Sequence, residues 1–391
     1  MIKEYRVYYN GMPATKEQLD EIEEIVVEQE VGRVWEGRIK IPVCITEDGK
    51  WHGEDDSARR EFSRVRVEAR IDEGDWVPLI DGRIVGKDDI RSPVPGQSSV
   101  TLVVHDDSAL LHREAEVEPF AGRTDSEIAQ SIFESAALGG EPDIDETPSH
   151  PDTNAVINQH GTKMQILRSI ASRYGNYFAY VLPGETAGAS IGCFKKLPVE
   201  PDPTLPELTL LGDCRNLAEY NVRENANNAS TIEGATLSFS DKSVATGSSS
   251  YRDATLLEAE SATDAPETET RKRRLPPGHN GLTDPQTAAE GAAAMSGFTL
   301  TADGSVLPLR YTGILRPYLM VPVRLSDTRY SANYVIFKVV HTLGLSEYTQ
   351  SFTMRGNAVS AAKSASAGQP ALSAAVAGAA AVSFNIQVDI F

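Results

Sequence analysis

Val65-Arg66-Val67-Glu68-Ala69-Arg70-Ile71 alternates apolar and polar residues without a break. A period of two fits an extended strand with one dry and one wet face, and it fits no helix. Similar signals recur nearby. Arg6-Val7-Tyr8-Tyr9 leads into Asn10-Gly11, a pair that accepts positive φ and so favours a tight hairpin turn. Val34 to Val43 alternates in part, and Trp76 to Val85 and Ser99 to Val104 add further strands between Gly, Asp and Pro. Short strands at this spacing predict a small barrel or sandwich over the first hundred residues. Thr46 to Glu61, acidic and polar, reads as an exposed loop within it.

Near His105 the period changes. Thr124-Asp125-Ser126-Glu127 is a capping box, after which Ile128, Ile132, Phe133 and Ala136 share one helical face. A second box, Thr162-Lys163-Met164-Gln165, opens a helix with a stripe of Met164, Leu167, Ile170, Ala171 and Tyr174, and Gly175 supplies a left-handed stop. Such a stripe reads as core packing rather than a cofactor box. Tyr177 to Leu182, a turn at Pro183-Gly184 and a return strand near Ser190 to Phe194 complete a compact α+β unit. A Pro-rich connector from Leu197 to Pro206 leads to strands at Leu217 to Val222 and Ser230 to Phe239. From Ser240 to Asn280 apolar content falls, which predicts disorder or an extended loop. An Ala-rich helix near Pro285 to Met295 precedes strands at Tyr318 to Leu325, Tyr334 to Leu343 and Tyr348 to Arg355. Ala358 to Ala381 is low-complexity Ala, Ser and Gly, read as a flexible tail or a weak helix. No internal repeat is visible. The fold class is therefore α+β, mainly β, divided as 1–108 (barrel-like), 109–210 (α+β), 211–357 (barrel-like, with a flexible insertion over 240–280) and 358–391 (tail).

The 391 residues allow several sizeable cores, so neither disulfides nor metals are needed to hold them. Cys44, Cys193 and Cys214 lie far apart without CxxC spacing and read as reduced thiols. A net charge of −19 repels a phosphate backbone, which argues against nucleic-acid binding by charge. No run approaches ~18 strongly apolar residues, so no membrane anchor is expected. Met1 to Arg6 runs into charged residues without the apolar stretch of an export signal, so folding in the cytoplasm is expected.

Chemistry-bearing motifs are missing. There is no G-x-S-x-G, H-E-x-x-H, G-x-x-x-x-G-K-[ST] or G-x-G-x-x-G. Asp106-Asp107 reads as a cap for the turn from Ser108 to His112, and Glu54-Asp55-Asp56 as solvated carboxylates. The histidines at 52, 112, 150, 160, 279 and 341 show no ligand spacing, and His341 within a strand reads as structural. No catalytic, cofactor or metal residue is assigned, and no enzyme is expected. Arg271-Lys272-Arg273-Arg274 is the one concentrated basic run. It is read either as a solvated loop whose charge the acidic residues from Glu258 to Glu269 partly cancel, or as an electrostatic latch for an acidic partner.

Three ordered stretches resemble the phage late control protein D family. Phe120-Ala121-Gly122-Arg123-Thr124-Asp125-Ser126-Glu127-Ile128-Ala129 is similar to the segment before its first helix. The run from Val156 to Gly175, a Gln-containing strand and then a helix ending Arg173-Tyr174-Gly175, resembles its most recognisable block. Tyr334 to Thr342 with Tyr348 to Thr353 is similar to its closing β-hairpin. The resemblance spans about residues 5 to 357. It departs from the fused spike proteins of type VI secretion in having no long spike domain after Asn357, and Ser240 to Asn280 does not align.

The resemblance implies a baseplate central hub of a contractile tail or injection machine, in which two barrel-like tube domains flank an α+β region. It further implies a homotrimeric ring of pseudo-sixfold symmetry that joins a hexameric inner tube to a trimeric spike, alongside other baseplate proteins. Such a protein assembles in the cytoplasm and becomes part of a phage tail or injection particle. Beyond the family, Phe384-Asn385-Ile386-Gln387-Val388-Asp389-Ile390-Phe391 alternates again. Phe384, Ile386, Val388 and Ile390 are expected to add a strand to a sheet edge of the spike or of a neighbouring subunit, the alternative being a frayed tail. Two other readings are a receptor-binding tail-tip protein and a carboxylate-based cell-wall hydrolase.

Overall fold

The computed structural model describes residues 3–45, 51, 57–94, 96–149, 156–237, 242–275, 284–344 and 347–361. The Asn10-Gly11 pair turns as its chemistry demands, with φ of 49° and 81°. It links β1 (Lys3–Tyr9) to β2 (Met12–Pro13). After α1 (Lys16–Asp20) come β3 (Glu24–Glu30), β4 (Glu36–Pro42), β5 (Arg64–Ile71), β6 (Val77–Ile90) and β7 (Ser99–Asp106). The alternating run is β5, and its dry face buries Val65, Val67, Ala69 and Ile71. Its polar face is not wet, however: Arg66 and Glu68 are also buried, because the turn at 183–190 packs over them through hydrogen bonds to Arg66.

The middle region holds β8 (Ala115–Ala121), α2 (Asp125–Ser135), β9 (Asp143–Ile144), β10 (Val156–Thr162), α3 (Lys163–Tyr174), β11 (Tyr177–Pro183) and β12 (Ser190–Lys196). Both capping boxes form. Thr124 and Thr162 accept from the backbone N–H three residues on, and Glu127 and Gln165 reach back. Gly175 ends α3 in the left-handed region, at φ 75°. The two helices bury their predicted stripes in one cluster with Phe194 and Val181 of the β11–β12 hairpin.

The remainder forms β13 (Leu208–Thr209), β14 (Leu217–Glu224), β15 (Ser230–Leu237), β16 (Val244–Ser250), β17 (Glu260–Ser261), β18 (Arg271–Arg274) and α4 (Pro285–Ser296). After α4 come β19 (Leu300–Val306), β20 (Met320–Arg324), β21 (Asn333–Gly344), β22 (Tyr348–Gly356) and β23 (Ala358–Val359).

Two expectations need correction. The described part of 240–280 is β-structure rather than a loose loop: β16 and β18 flank β15 in a sheet against which α4 packs, and β17 pairs with β23. Small residues make this possible. A Cβ on Gly247 would lie 2.4 Å from the backbone of Gln286, so the helix sits almost on the strand and little apolar bulk is required. The tail expected from Ala358 accordingly starts as a paired strand. Second, the β-regions at the two ends do not form separate closed barrels. Among the described residues they share one open, 13-stranded sheet, because β3 pairs antiparallel with β21 from Lys338 opposite Glu30 to Gly344 opposite Glu24.

Within that sheet the two halves nonetheless share a topology. The orders β3-β4-β7-β6-β5 and β14-β19-β22-β21-β20 each place a strand pair beside a meander, the last meander strand joining the second strand of the pair. Even the irregularities coincide. The register shifts between Ile84 and Gly86 where β6 meets β7, and between Ile336 and Lys338 where β21 meets β22. Two residues before each bulged position, Arg83 opposes Arg64 and Val335 opposes Met320. Each half curls round its own core. Val27, Ile39, Val67, Ile84 and Val104 belong to the first, and Leu300, Val323, Tyr334, Ile336 and Phe352 to the second. Burying each such side chain contributes about 1.5–3 kcal/mol. The halves differ in one connection: a short turn joins β3 to β4, whereas β15 to β18 and α4 lie between β14 and β19.

Candidate assembly surfaces

A network of ionisable side chains is buried between the first half of the sheet and the β11–β12 hairpin. Asp81, almost fully buried, accepts from Arg64 at 2.7 Å, Arg66 at 3.0 Å and the Gly188 N–H at 2.9 Å. Asp107 accepts from Arg64 Nη2 at 2.6 Å and the Ser190 hydroxyl at 2.8 Å. Glu68 completes the group by pairing with Arg66 and Arg6. Burial raises the Asp107 carboxyl, while Arg64 opposes the shift. Breaking a pair of this kind strands a charge in a dry site, so the network clamps the middle region onto the sheet.

Asp106 behaves as its sequence position predicted. It caps the short helical turn at 107–112, accepting from Ser108 N–H at 3.1 Å, and its second oxygen accepts from Trp35 N–H at 3.0 Å. Burial pushes this carboxyl up to about 7, against the donors from Ser108 and Trp35. Both oxygens are engaged and the residue is buried, so no substrate atom has access to it. Among the described residues no group of three or more His, Cys, Asp or Glu is arranged to hold a metal ion. The cysteines are free, Cys193 buried and Cys44 and Cys214 exposed.

The surfaces that stand out are strand edges. β6 pairs with β5 from Val77 to Arg83 and with β7 from Gly82 to Ile90. On the β5 side, no strand among the described residues pairs with Val85 to Ile90. Two side chains of that stretch, Val85 and Ile90, are 38% and 58% exposed. Beneath it lies a cavity of about 150 Å³ with an apolar floor of Ile41, Val100 and Leu102 and a rim of Lys87, Asp89 and Arg91. Among the described residues β14 is the other free edge, pairing with β19 alone. Its Ala218, Glu219, Asn221, Arg223 and Glu224 are exposed, and Tyr220 and Val222 pack only in part against the second core.

The basic run is a strand, not a solvated loop. β18 pairs in parallel with β15, Arg271 opposite Ser230 through Arg274 opposite Glu233. All four cationic residues are exposed, and Arg274 approaches Glu233 at 3.7 Å. Phe384, Ile386, Val388 and Ile390 lie outside the described residues, as does most of 46–61. The sequence places strands at Trp76 to Val85 and Leu217 to Val222 but does not show that, among the described residues, both leave free edges. Only the pairing of distant strands reveals that.

No protein-family model matches the chain, and no curated protein matches it in sequence. Solved structures do. A tail protein from Neisseria meningitidis MC58 superposes with a TM-score of 0.61 at 14% identity, over 90% of this chain and 96% of that one. The 43 kDa tail protein of prophage MuSo2 from Shewanella oneidensis gives 0.60 at 14% identity, over 90% and 98%. An E. coli component of the type VI secretion system, described as structurally similar to the T4 bacteriophage tail proteins gp27 and gp5, gives 0.51 at 10% identity, over 86% and 74%. The chain therefore has the fold of phage-type tail proteins along nearly its whole length, in keeping with the resemblance to the late control protein D family.

Proposed function

We propose, from a fold shared over 90% of the chain with two tail proteins, that this protein is the structural central hub of a contractile tail or injection-system baseplate. The observation that carries the reading is the internal duplication. Two half-sheets of matching strand order and matching bulges give each chain two near-equivalent faces. Three chains then present six such faces, enough to mate with a hexameric inner tube. The opposite side of the same ring keeps true threefold symmetry and receives a trimeric spike. The hub assembles in the cytoplasm with other baseplate proteins and becomes part of the particle.

This role asks for no catalysis. Its demands are rigidity, which the buried network around Asp81 and the two cores supply, and accessible edges, which β6 and β14 supply. The exposed cations of β18 serve in this reading as a latch for an acidic partner, since they line a strand edge instead of folding inward.

The test is native mass together with negative-stain projection, on protein co-produced with its tube and spike partners. The expected result is a complex holding three 42.4 kDa chains whose projection shows a ring with a central hole. A closed dimer, or a ring of another order, would overturn the proposal.

A further inference from the structure

We propose that β18 seats an acidic, extended peptide segment of a partner protein, which joins the small sheet as a fourth strand. This deepens the latch reading above and rests on it. The sheet runs β16, β15, β18, so among the described residues β18 is paired on one side only. The backbone shows which of its groups face outward. Leu275 N–H donates to the Glu233 carbonyl at 2.8 Å. Along a strand the N–H and C=O of every second residue point the same way. Arg273 and Arg271 therefore turn theirs to β15, and Lys272 and Arg274 present theirs at the open edge. Each of these two can exchange a pair of hydrogen bonds with an incoming antiparallel strand.

The side chains select what can enter. Register puts Arg271 and Arg273 on the face of Ser230 and Ile232, and Lys272 and Arg274 on the face of Thr231 and Glu233. α4 packs on β15 and β16, and all four cations remain exposed. Elsewhere on this acidic chain exposed cations find carboxylates, as Lys40 does with Glu23 and Lys195 with Asp143. Among the described residues Arg274 reaches only Glu233, at 3.7 Å, and Arg271, Lys272 and Arg273 have no ion pair. An acidic strand supplies what is missing, an opposite charge facing the cations on both faces. A second copy of β18 would bring the same cations, so the charge bars self-pairing while it admits an acidic partner. A long polyanion fits less well. Four residues of strand span about 13 Å, and Glu258, Glu260, Asp264, Glu267 and Glu269 lie in the chain just before them. A nucleic acid running past β18 would gain there and be repelled by the rest of a chain of net charge −19.

The test titrates the full chain with two end-capped hexapeptides by calorimetry. One carries four glutamates between two valines. Its twin is N-methylated at every glutamate, which keeps each charge and removes the strand hydrogen bonds. The first should bind about tenfold tighter than the twin or better. Lys272→Glu combined with Arg274→Glu should abolish that binding and admit the lysine counterpart of the peptide instead. On binding, hydrogen exchange should slow at the amides of Lys272 and Arg274, while Arg271 and Arg273, already turned to β15, keep their rates. If the two peptides bind alike and no amide slows, strand addition is wrong while the latch stands. If neither binds, or a short DNA duplex displaces the first, the latch for an acidic protein partner falls with it.

Discussion

At the scale of single residues, two buried groups oppose each other in their response to acid. Gln29 donates from Nε2 to the Leu79 carbonyl at 2.7 Å, which leaves its Oε1 facing Nε2 of His341 at 3.3 Å. His341 therefore carries its proton on Nε2 and accepts from Tyr348 OH at Nδ1, 2.8 Å away. Burial, aided by the charge of Arg316, holds this imidazole down to about 3. An unfolded chain takes up a proton below pH ~6.5 that the folded one refuses, so His341 costs stability as pH falls through that window. Asp106 acts in reverse. Burial holds it near 7, so the folded chain keeps a proton that the unfolded one releases, and stability rises as pH falls from 7 toward 4. Between pH 7.5 and pH 5 each effect amounts to about 2–3 kcal/mol, of opposite sign. His341→Gln should therefore gain about 2 kcal/mol on the wild type over that interval, and Asp106→Asn should lose a similar amount. Urea midpoints at the two pH values check this; parallel profiles for all three proteins would contradict it.

At the scale of elements, local chemistry was readable where a few neighbouring residues decide the outcome. Thr124 with Glu127, Thr162 with Gln165, and Gly175 were legible because caps act within one turn. The layer formed by β15, β16, β18 and α4 was not. Its strands gain their place from close approach to an Ala-rich helix, and closeness leaves no apolar signal. Gly291 shows how tight this is, since a Cβ there would lie 1.7 Å from the carbonyl oxygen of Tyr174, where α4 meets the end of α3. Gly291→Ala must push the two helices apart, and overpacking of this kind costs about 3 kcal/mol. The thermal midpoint should fall by several degrees, whereas Ala292→Gly on the same helix should cost only about 1 kcal/mol. An unchanged midpoint for Gly291→Ala would show that α4 is free to shift.

At the scale of the whole molecule, the sequence predicted β-regions at both ends but concealed that they are one sheet. The joining contact, Lys338 with Glu28 at 2.5 Å, spans 310 positions, and nothing in either segment names the other. The duplicated strand order was hidden for a related reason: β3 and β14 share a place in the topology without sharing side chains, Ile25 and Val27 against Tyr220 and Val222. If the edges of β6 and β14, which no other described strand covers, meet other chains of the particle as the hub reading asks, their backbone amides become hydrogen-bonded in the assembly. Hydrogen exchange at 85–90 and 217–224 should then slow on assembly, while the already paired residues of β3 and β21 keep their rates. Equal exchange at the two free edges before and after assembly would place the contact elsewhere.

The long connection between β14 and β19 has its own consequence for a closed array. One half of each chain bears the added layer and the other bears only a short turn, so successive positions around the circumference would alternate between ornamented and plain. Such an array carries an angular index, and a threefold object lowered onto it would find three equal seats rather than six.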